Sequence, residues 1–193
     1  MTGLPGRLEP LVRSTPWLLE ALRAARDVDP PDWLVGGGVL RDLVWDRLHG
    51  GSQPPAPRDL DLAFFDPTRL EAARDAEVEA ALVARLPGVP WDAKNQAAVH
   101  TWYHRVFGGP PVAPLTSAAD GVASWPETAT AVAVRLLPGG GFQVVAPCGL
   151  DDLFTLVCRR NPRRVTPAHY RRRVREKRIA ARWPRVRVVE DGW

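Results

Sequence analysis

Asp59 and Asp61 are the residues from which chemistry can first be argued. They lie in the run Arg58-Asp59-Leu60-Asp61-Leu62. In an extended strand, residues two apart point to the same side. Two carboxylates would therefore stand side by side at the start of a strand over 60–65, whose Leu60, Leu62, Phe64 and Phe65 call for burial. Paired carboxylates repel each other and lose hydration on burial unless a cation stands between them. Mg²⁺ meets that need, because it takes oxygen ligands and keeps waters for phosphates. The plainer reading is a pair of solvated aspartates at a strand end, with Arg58 as ion partner.

The second chemical signal is Gly36-Gly37-Gly38 with Arg41 beyond it. Glycines between a strand and a helix let backbone amides approach a phosphate, and the helix start favours an anion. Arg41, one turn into the helix, can face the same anion. A tight turn needing positive φ explains the glycines equally well. The run is neither a P-loop nor GxGxxG. A third cluster is Lys94, Asn95, Gln96 and His100, beside Trp91, Trp102 and Tyr103. It reads as a reader of a nucleotide base or sugar. It also reads as a helix cap at Asn95 with Gln96 and His100 on one helix face. Glu127, Thr128 and Thr130 suit a cleft lining or a network at a strand start.

The elements that must position these groups follow from patterning. Pro16 to Arg26 reads as a helix capped by Thr15, and Trp33 to Gly36 as a short buried strand. Val39 to Leu48 forms an amphipathic helix ending at Gly50. Residues 51–57 form a loop with three prolines. Thr68 to Glu71 has capping-box spacing and predicts a helix to Leu86. A short strand over 91–94 and a helix over 117–125 follow. Strands 130–137 and 142–146 are joined by the hairpin turn Pro138 to Gly141. Asp151 to Val157 predicts an apolar helix, with Asp151 and Asp152 at its favourable end. A last helix runs from Thr166 to Trp183. The class is mixed α/β.

At 193 residues, and roughly 150 per domain, one domain with an appendage is expected. The net charge is +4. Residues 159–187 hold thirteen basic residues and one acid, and the remainder is net −8. Arg159, Arg160, Arg163, Arg164, Arg171 to Arg173 and Arg175 can follow a phosphate backbone, with Tyr170 and Trp183 stacking on bases. Alternatively this element docks on the acidic body. Cys148 and Cys158 are too few for a disulfide framework or a zinc site and read as small core residues. Met1 to Pro10 lacks the features of a secretory signal. No apolar run approaches the ~18 residues of a membrane helix. A cytoplasmic protein without membrane association is expected.

Gly37-Gly38-x-x-Arg41 followed by Asp59-x-Asp61 resembles the nucleotidyltransferase superfamily of DNA polymerase beta. Within it, residues 15–189 look like a bacterial nucleotidyltransferase-like family. The matching stretches are Gly38 to Gly50, Asp59 to Asp66, Trp91 to His100, Trp125 to Val132, Ala146 to Phe154, and Trp183-Pro184. The resemblance implies a polymerase-beta-like α/β (α+β) core with a mixed sheet over residues 1–158. A basic helical extension, 159–193, would pack on the same domain. It implies Mg²⁺-dependent transfer of a nucleoside monophosphate from an NTP to a hydroxyl acceptor, whether RNA, a protein side chain or a small molecule, with pyrophosphate released. Asp59 and Asp61 would hold two Mg²⁺ ions, and Gly36, Gly37, Gly38 and Arg41 the phosphates. Asp92 would be the third carboxylate, acting on the attacking hydroxyl. Lys94, Asn95, Gln96 and His100 would bind substrate. The alternatives are a non-catalytic nucleotide- or RNA-binding module and a phosphodiester-cleaving enzyme.

Overall fold

The structure, a computed structural model, describes residues 4–51 and 59–189. Arg58 and most of the proline-rich loop at 51–57 lie outside the described residues. Two helices open the chain, α1 (Leu4–Arg13) and α2 (Pro16–Val28). Strand β1 (Leu34–Gly36) leads into α3 (Gly38–Leu48). Then come β2 (Leu60–Phe64), α4 (Ala73–Arg85) and β3 (Trp91–Asn95). A 3-10 turn, Gln96–Ala98, joins β3 to α5 (Val99–Phe107), and α6 (Ala118–Val122) follows. The hairpin β4 (Ala133–Leu136) and β5 (Phe142–Val145) precedes α7 (Asp151–Phe154) and β6 (Val157–Arg159). Helices α8 (Pro167–Glu176) and α9 (Ile179–Arg182) and strand β7 (Arg187–Val189) close the described chain.

The main sheet has the order β3-β2-β1-β4-β5. It is mixed: β2 and β3 are parallel, and β1 is antiparallel to both β2 and β4. The α/β expectation holds. The short strands β6 and β7 pair in parallel as a second sheet. Leu60, Leu62 and Phe64 are buried from β2, against Leu18 and Leu22 of α2, Leu40, Leu43 and Val44 of α3, and Leu82 of α4 within one apolar core. Trp45 and Trp183 lie inside it as an edge-to-face pair, ring centroids 5.1 Å apart. Trp45 donates its indole N–H to the Leu153 carbonyl at 2.9 Å, and Trp183 donates to Asp46 at 2.6 Å. His49 holds the Trp45 carbonyl and, through its other ring nitrogen, the backbone N–H of Arg185. These aromatic and polar groups tie the C-terminal segment to α3.

Several local expectations are corrected. Helix α1 has no counterpart in the sequence reading, because Pro5, Gly6 and Pro10 argue against one. Burial of Leu8 and Val12 at helical spacing outweighs them. Thr15 stands at the cap position of α2, but its hydroxyl turns back and donates to the Leu11 carbonyl at 2.9 Å. Thr68 does not open α4, which starts at Ala73. The Asp66 side chain instead accepts from the Thr68 N–H and hydroxyl, making a local turn. The helix at 151 stops at Phe154, with Leu156 in left-handed conformation (φ 58°), and Val157 enters a strand. The last helix breaks at Arg178 (φ 52°) into α8 and α9. Cys158 is buried, whereas Cys148 is half-buried, and both are free.

Gly36 is fixed by packing. A Cβ there would lie 2.2 Å from the Val132 carbonyl oxygen and 2.6 Å from Ala133 Cα, both backbone atoms. Gly36→Ala therefore forces β1 and β4 apart and is expected to destabilise the protein by about 3 kcal/mol or more in urea denaturation. An unchanged unfolding midpoint would refute this close approach.

Candidate active site

The sheet places Asp61 at the point where β1 ends. In register, Asp61 faces Gly36 on β1 and Asp92 on β3. Asp59 precedes β2 on the same side. After Gly36 the chain turns through Gly37 (φ 74°, ψ −130°) into α3, a conformation that glycine alone adopts without strain. A Cβ at Gly37 would stand 3.0 Å from an Asp61 carboxylate oxygen and 3.3 Å from the Trp125 ring. The helix start, the carboxylate and an aromatic ring thus meet at one residue.

These groups line one cleft of about 380 Å³. Its charged end holds Gly37, Gly38, Arg41, Asp59, Asp61, Asp92 and Lys94. Burial, then Asp59, then Asp92 push the Asp61 carboxyl up to about 6 from 3.8. Lys94 Nζ stands 2.5 Å from Asp92, and Lys177 Nζ 4.0 Å from Asp59. These are the chain's only two lysines, against 24 arginines.

The remaining site expectations divide. Arg41 is 3% exposed. It lines the cleft, but two of its nitrogens bond Asp42 at 2.9 and 2.7 Å, and a third lies 4.0 Å from Glu127. Gln96 lines the cleft and donates to the Lys94 carbonyl. Gly36, Asn95 and His100 are not among the lining residues. Asn95 accepts from the N–H groups of Asp66 and Ala97, and donates to the carbonyls of Asp66 and Arg69. It holds the turn after β2 to the end of β3. Trp91 is 6% exposed and packs in the core.

Sequence reasoning missed the opposite wall. Val165, His169, Arg173 and Lys177 line the cleft at intervals of four, one face of α8 and its approach. That spacing was visible, but a dense arginine run hides it. Arg173 donates to the buried Glu127 at 2.9 Å. Burial works to raise the Glu127 pKa, and Arg173, then Arg41, outweigh it, leaving the carboxyl below its usual range. Of the arginines expected to follow nucleic acid, Arg159 pairs with Asp152, Arg163 with Asp120 and Arg173 with Glu127. Arg160 and Arg164 donate to the carbonyls of Val165 and Ala113. Arg171, Arg172 and Arg175 stay exposed.

Among the described residues, no group of three His, Cys, Asp or Glu side chains is arranged as it stands to hold a metal. The chemistry of the donor set nonetheless fits a hard divalent cation at Asp59 and Asp61. Both donors are carboxylates, they share one side of the strand, and burial of Asp61 beside like charges calls for a cation. Asp92 is engaged by Lys94. Asp151 and Asp152 are not part of this group, since Asp152 binds Arg159 and the Thr128 hydroxyl.

Residues 23–188 match the model of a family described as Nucleotidyltransferase. No curated protein matches the chain. Among solved structures, one determined by NMR and described as revealing a CCA-adding enzyme head domain is 26% identical, with a TM-score of 0.79. The match covers 96% of this chain and 95% of that one. Two others share the fold at 17% identity: a CCA-adding enzyme with CTP (TM-score 0.57) and the Thermotoga maritima CCA-adding enzyme complexed with tRNA (TM-score 0.56). Each match covers 94% of this chain but only 43% and 42% of those chains, so this chain spans less than half their length. No helix among the described residues is long and apolar enough to cross a membrane.

Two outcomes follow. The raised Asp61 carboxyl binds its proton more tightly when folded than when unfolded. The metal-free protein therefore loses stability as pH rises from 3.8 through about 6. Asp61→Asn should melt higher than wild type above that window and equally below it. Glu127→Gln leaves Arg173 and Arg41 without their buried counter-charge. It should cost roughly 3 kcal/mol in chemical denaturation, the low end for an orphaned buried charge because Arg173 stays partly exposed.

Proposed function

The chain belongs to this nucleotidyltransferase family, and on that premise we propose that it moves a nucleoside monophosphate from an NTP to a hydroxyl acceptor, releasing pyrophosphate, in a Mg²⁺-dependent reaction. One observation carries the reading. Asp61 and Asp92 are paired on neighbouring strands, Asp59 stands just before β2, and all three line one cleft in which Asp61 meets the glycine-initiated start of α3. Asp59 and Asp61 hold the metal, which when bound neutralises triphosphate charge and acidifies an attacking hydroxyl. Gly37, whose own N–H donates to the Val132 carbonyl at 2.9 Å, offers the triphosphate a bare backbone, and Gly38 opens the first turn of α3, whose amides favour an anion. Arg173 and Lys177 add positive charge from the facing wall. Asp92 accepts the proton of the acceptor hydroxyl once Lys94 turns away. Residues 1–158 form the catalytic unit, and the extension that begins at 159 completes its cleft through Val165, His169, Arg173 and Lys177.

The NTP reading is supported by the fold shared with a CCA-adding enzyme solved with CTP. For the acceptor, RNA is preferred over protein. A structure of the same fold is complexed with tRNA, and Arg171, Arg172 and Arg175 are exposed on α8, the helix whose other residues His169 and Arg173 line the cleft. A second reading, a nucleotide- or RNA-binding module without catalysis, is favoured by the Lys94–Asp92 pair alone.

Calorimetric titration of each NTP should show binding that requires Mg²⁺ and is lost in the Asp59→Ala/Asp61→Ala protein. With an RNA acceptor and labelled NTP, label enters RNA and pyrophosphate appears. Asp92→Ala should slow transfer by about a hundredfold or more while NTP still binds. Mg²⁺-independent, strongly salt-sensitive RNA binding without NTP binding would instead establish the non-catalytic module.

A further inference from the structure

The cleft is bipolar. All three carboxylates and both lysines gather at one end. Trp125 stands there too, beside Asp61, whereas a group of three rings, Trp102, Tyr103 and Phe107, lines the cleft from one face of α5. Tyr103 and Phe107 lie 4.8 Å apart, and His169 of α8 stacks on Phe107 at 5.2 Å between centroids. Trp102 and Tyr103 are only half-buried and Phe107 is 45% exposed, so ring surface remains open beside the cleft.

Arg164 stands beside this group of rings. Its guanidinium lies 5.5 Å from the Tyr103 centroid, and one nitrogen donates to the Ala113 carbonyl. Its Nη1 is buried without a hydrogen-bond partner. A guanidinium has only donors, so whatever satisfies Nη1 must be an acceptor. A buried donor left unpaired costs free energy that a ligand can return.

Helix α8 gives the scale. His169 stands at the aromatic end and Lys177 at Asp59, eight residues or ~12 Å along the helix. That separation is comparable with the length of a nucleotide from base to phosphates.

We propose that the aromatic end formed by Trp102, Tyr103 and Phe107 seats the nucleobase of the donor NTP, with Arg164 donating to an acceptor atom on the base edge. The proposal rests on the transferase reading above and fixes the direction in which the nucleotide lies. Aromatic faces accept any base, so stacking supplies affinity and Arg164 the discrimination.

The test compares two probes with Mg²⁺ present, an NTP and inorganic tripolyphosphate, which has no base. Calorimetry of the wild-type protein should give tripolyphosphate an affinity about tenfold or more below that of the NTP, the usual yield of base stacking. Trp102→Ala should lower NTP affinity by a similar factor and leave tripolyphosphate affinity unchanged. Trp102→Phe should keep most of the NTP affinity. Equal wild-type affinity for the two probes overturns the proposal without any variant. So does a Trp102→Ala protein that binds NTP as wild type does, and in that case the transferase reading stands. A wild-type protein that binds no NTP overturns both.

Discussion

Glu127 is the constraint on which the cleft depends. Its carboxylate is 3% exposed and accepts from Arg173 on one oxygen, and from the Thr130 hydroxyl on the other. The Arg41 guanidinium stands 4.0 Å away. A buried carboxylate is costly unless its charge and lone pairs are answered. Here they are answered by two cations from helices at opposite sides of the cleft, α3 and α8. Satisfying one charge therefore fixes the distance between two walls. Arg41 is held further by contact with the rings of Trp45 and Trp183, at 5.5 and 5.2 Å. The pair is better read as a device of register than of net stability, since apolar packing could replace its energy but not its geometry.

The division of labour between arginine and lysine follows the same logic. Arg159, Arg163 and Arg173 make fixed contacts with carboxylates that hold the C-terminal segment to the body. A guanidinium presents a planar fork suited to such fixed docking. The only two lysines lie at Asp92 and Asp59. An ammonium on a flexible stem is a point charge that can move aside when another cation arrives. The carboxylate end thus combines crowded negative charge with counter-ions that are easily displaced, whereas the back of the cleft is clamped.

Much of what makes this sequence resemble its family is scaffold. Trp45, Asp46, His49 and Trp183 form an interlocking set of ring and hydrogen-bond contacts that joins α3 to the C-terminal segment. Asn95 fastens the turn after β2 to β3. Their chemistry is directed at the protein's own backbone. The placement of Asp61 beside Asp92 comes from the pairing of β2 with β3 itself.

The sequence by itself determined the elements around the carboxylates. Period-two alternation in Leu60-Asp61-Leu62 placed Asp61 opposite the core face, and glycines at a strand-helix junction marked the turn at Gly37. Those are local patterns, set by backbone period and by the need for positive φ. What lies across from them was decided only in three dimensions. Gly36 is bare because Val132 and Ala133, where β4 begins, pass against it, 96 and 97 residues later in the chain. Asn95 turned away from the cleft because the turn at 66–69 offered it three hydrogen bonds and the N–H of Ala97 a fourth. The arginine run divided into docked and exposed faces according to where Glu127, Asp120 and Asp152 stood. A charge records its sign in the sequence, but its role depends on the partner it meets. For Arg173 of α8 that partner, Glu127, lies 46 residues away in the chain, and only burial of both sides in one fold brings them within hydrogen-bond reach.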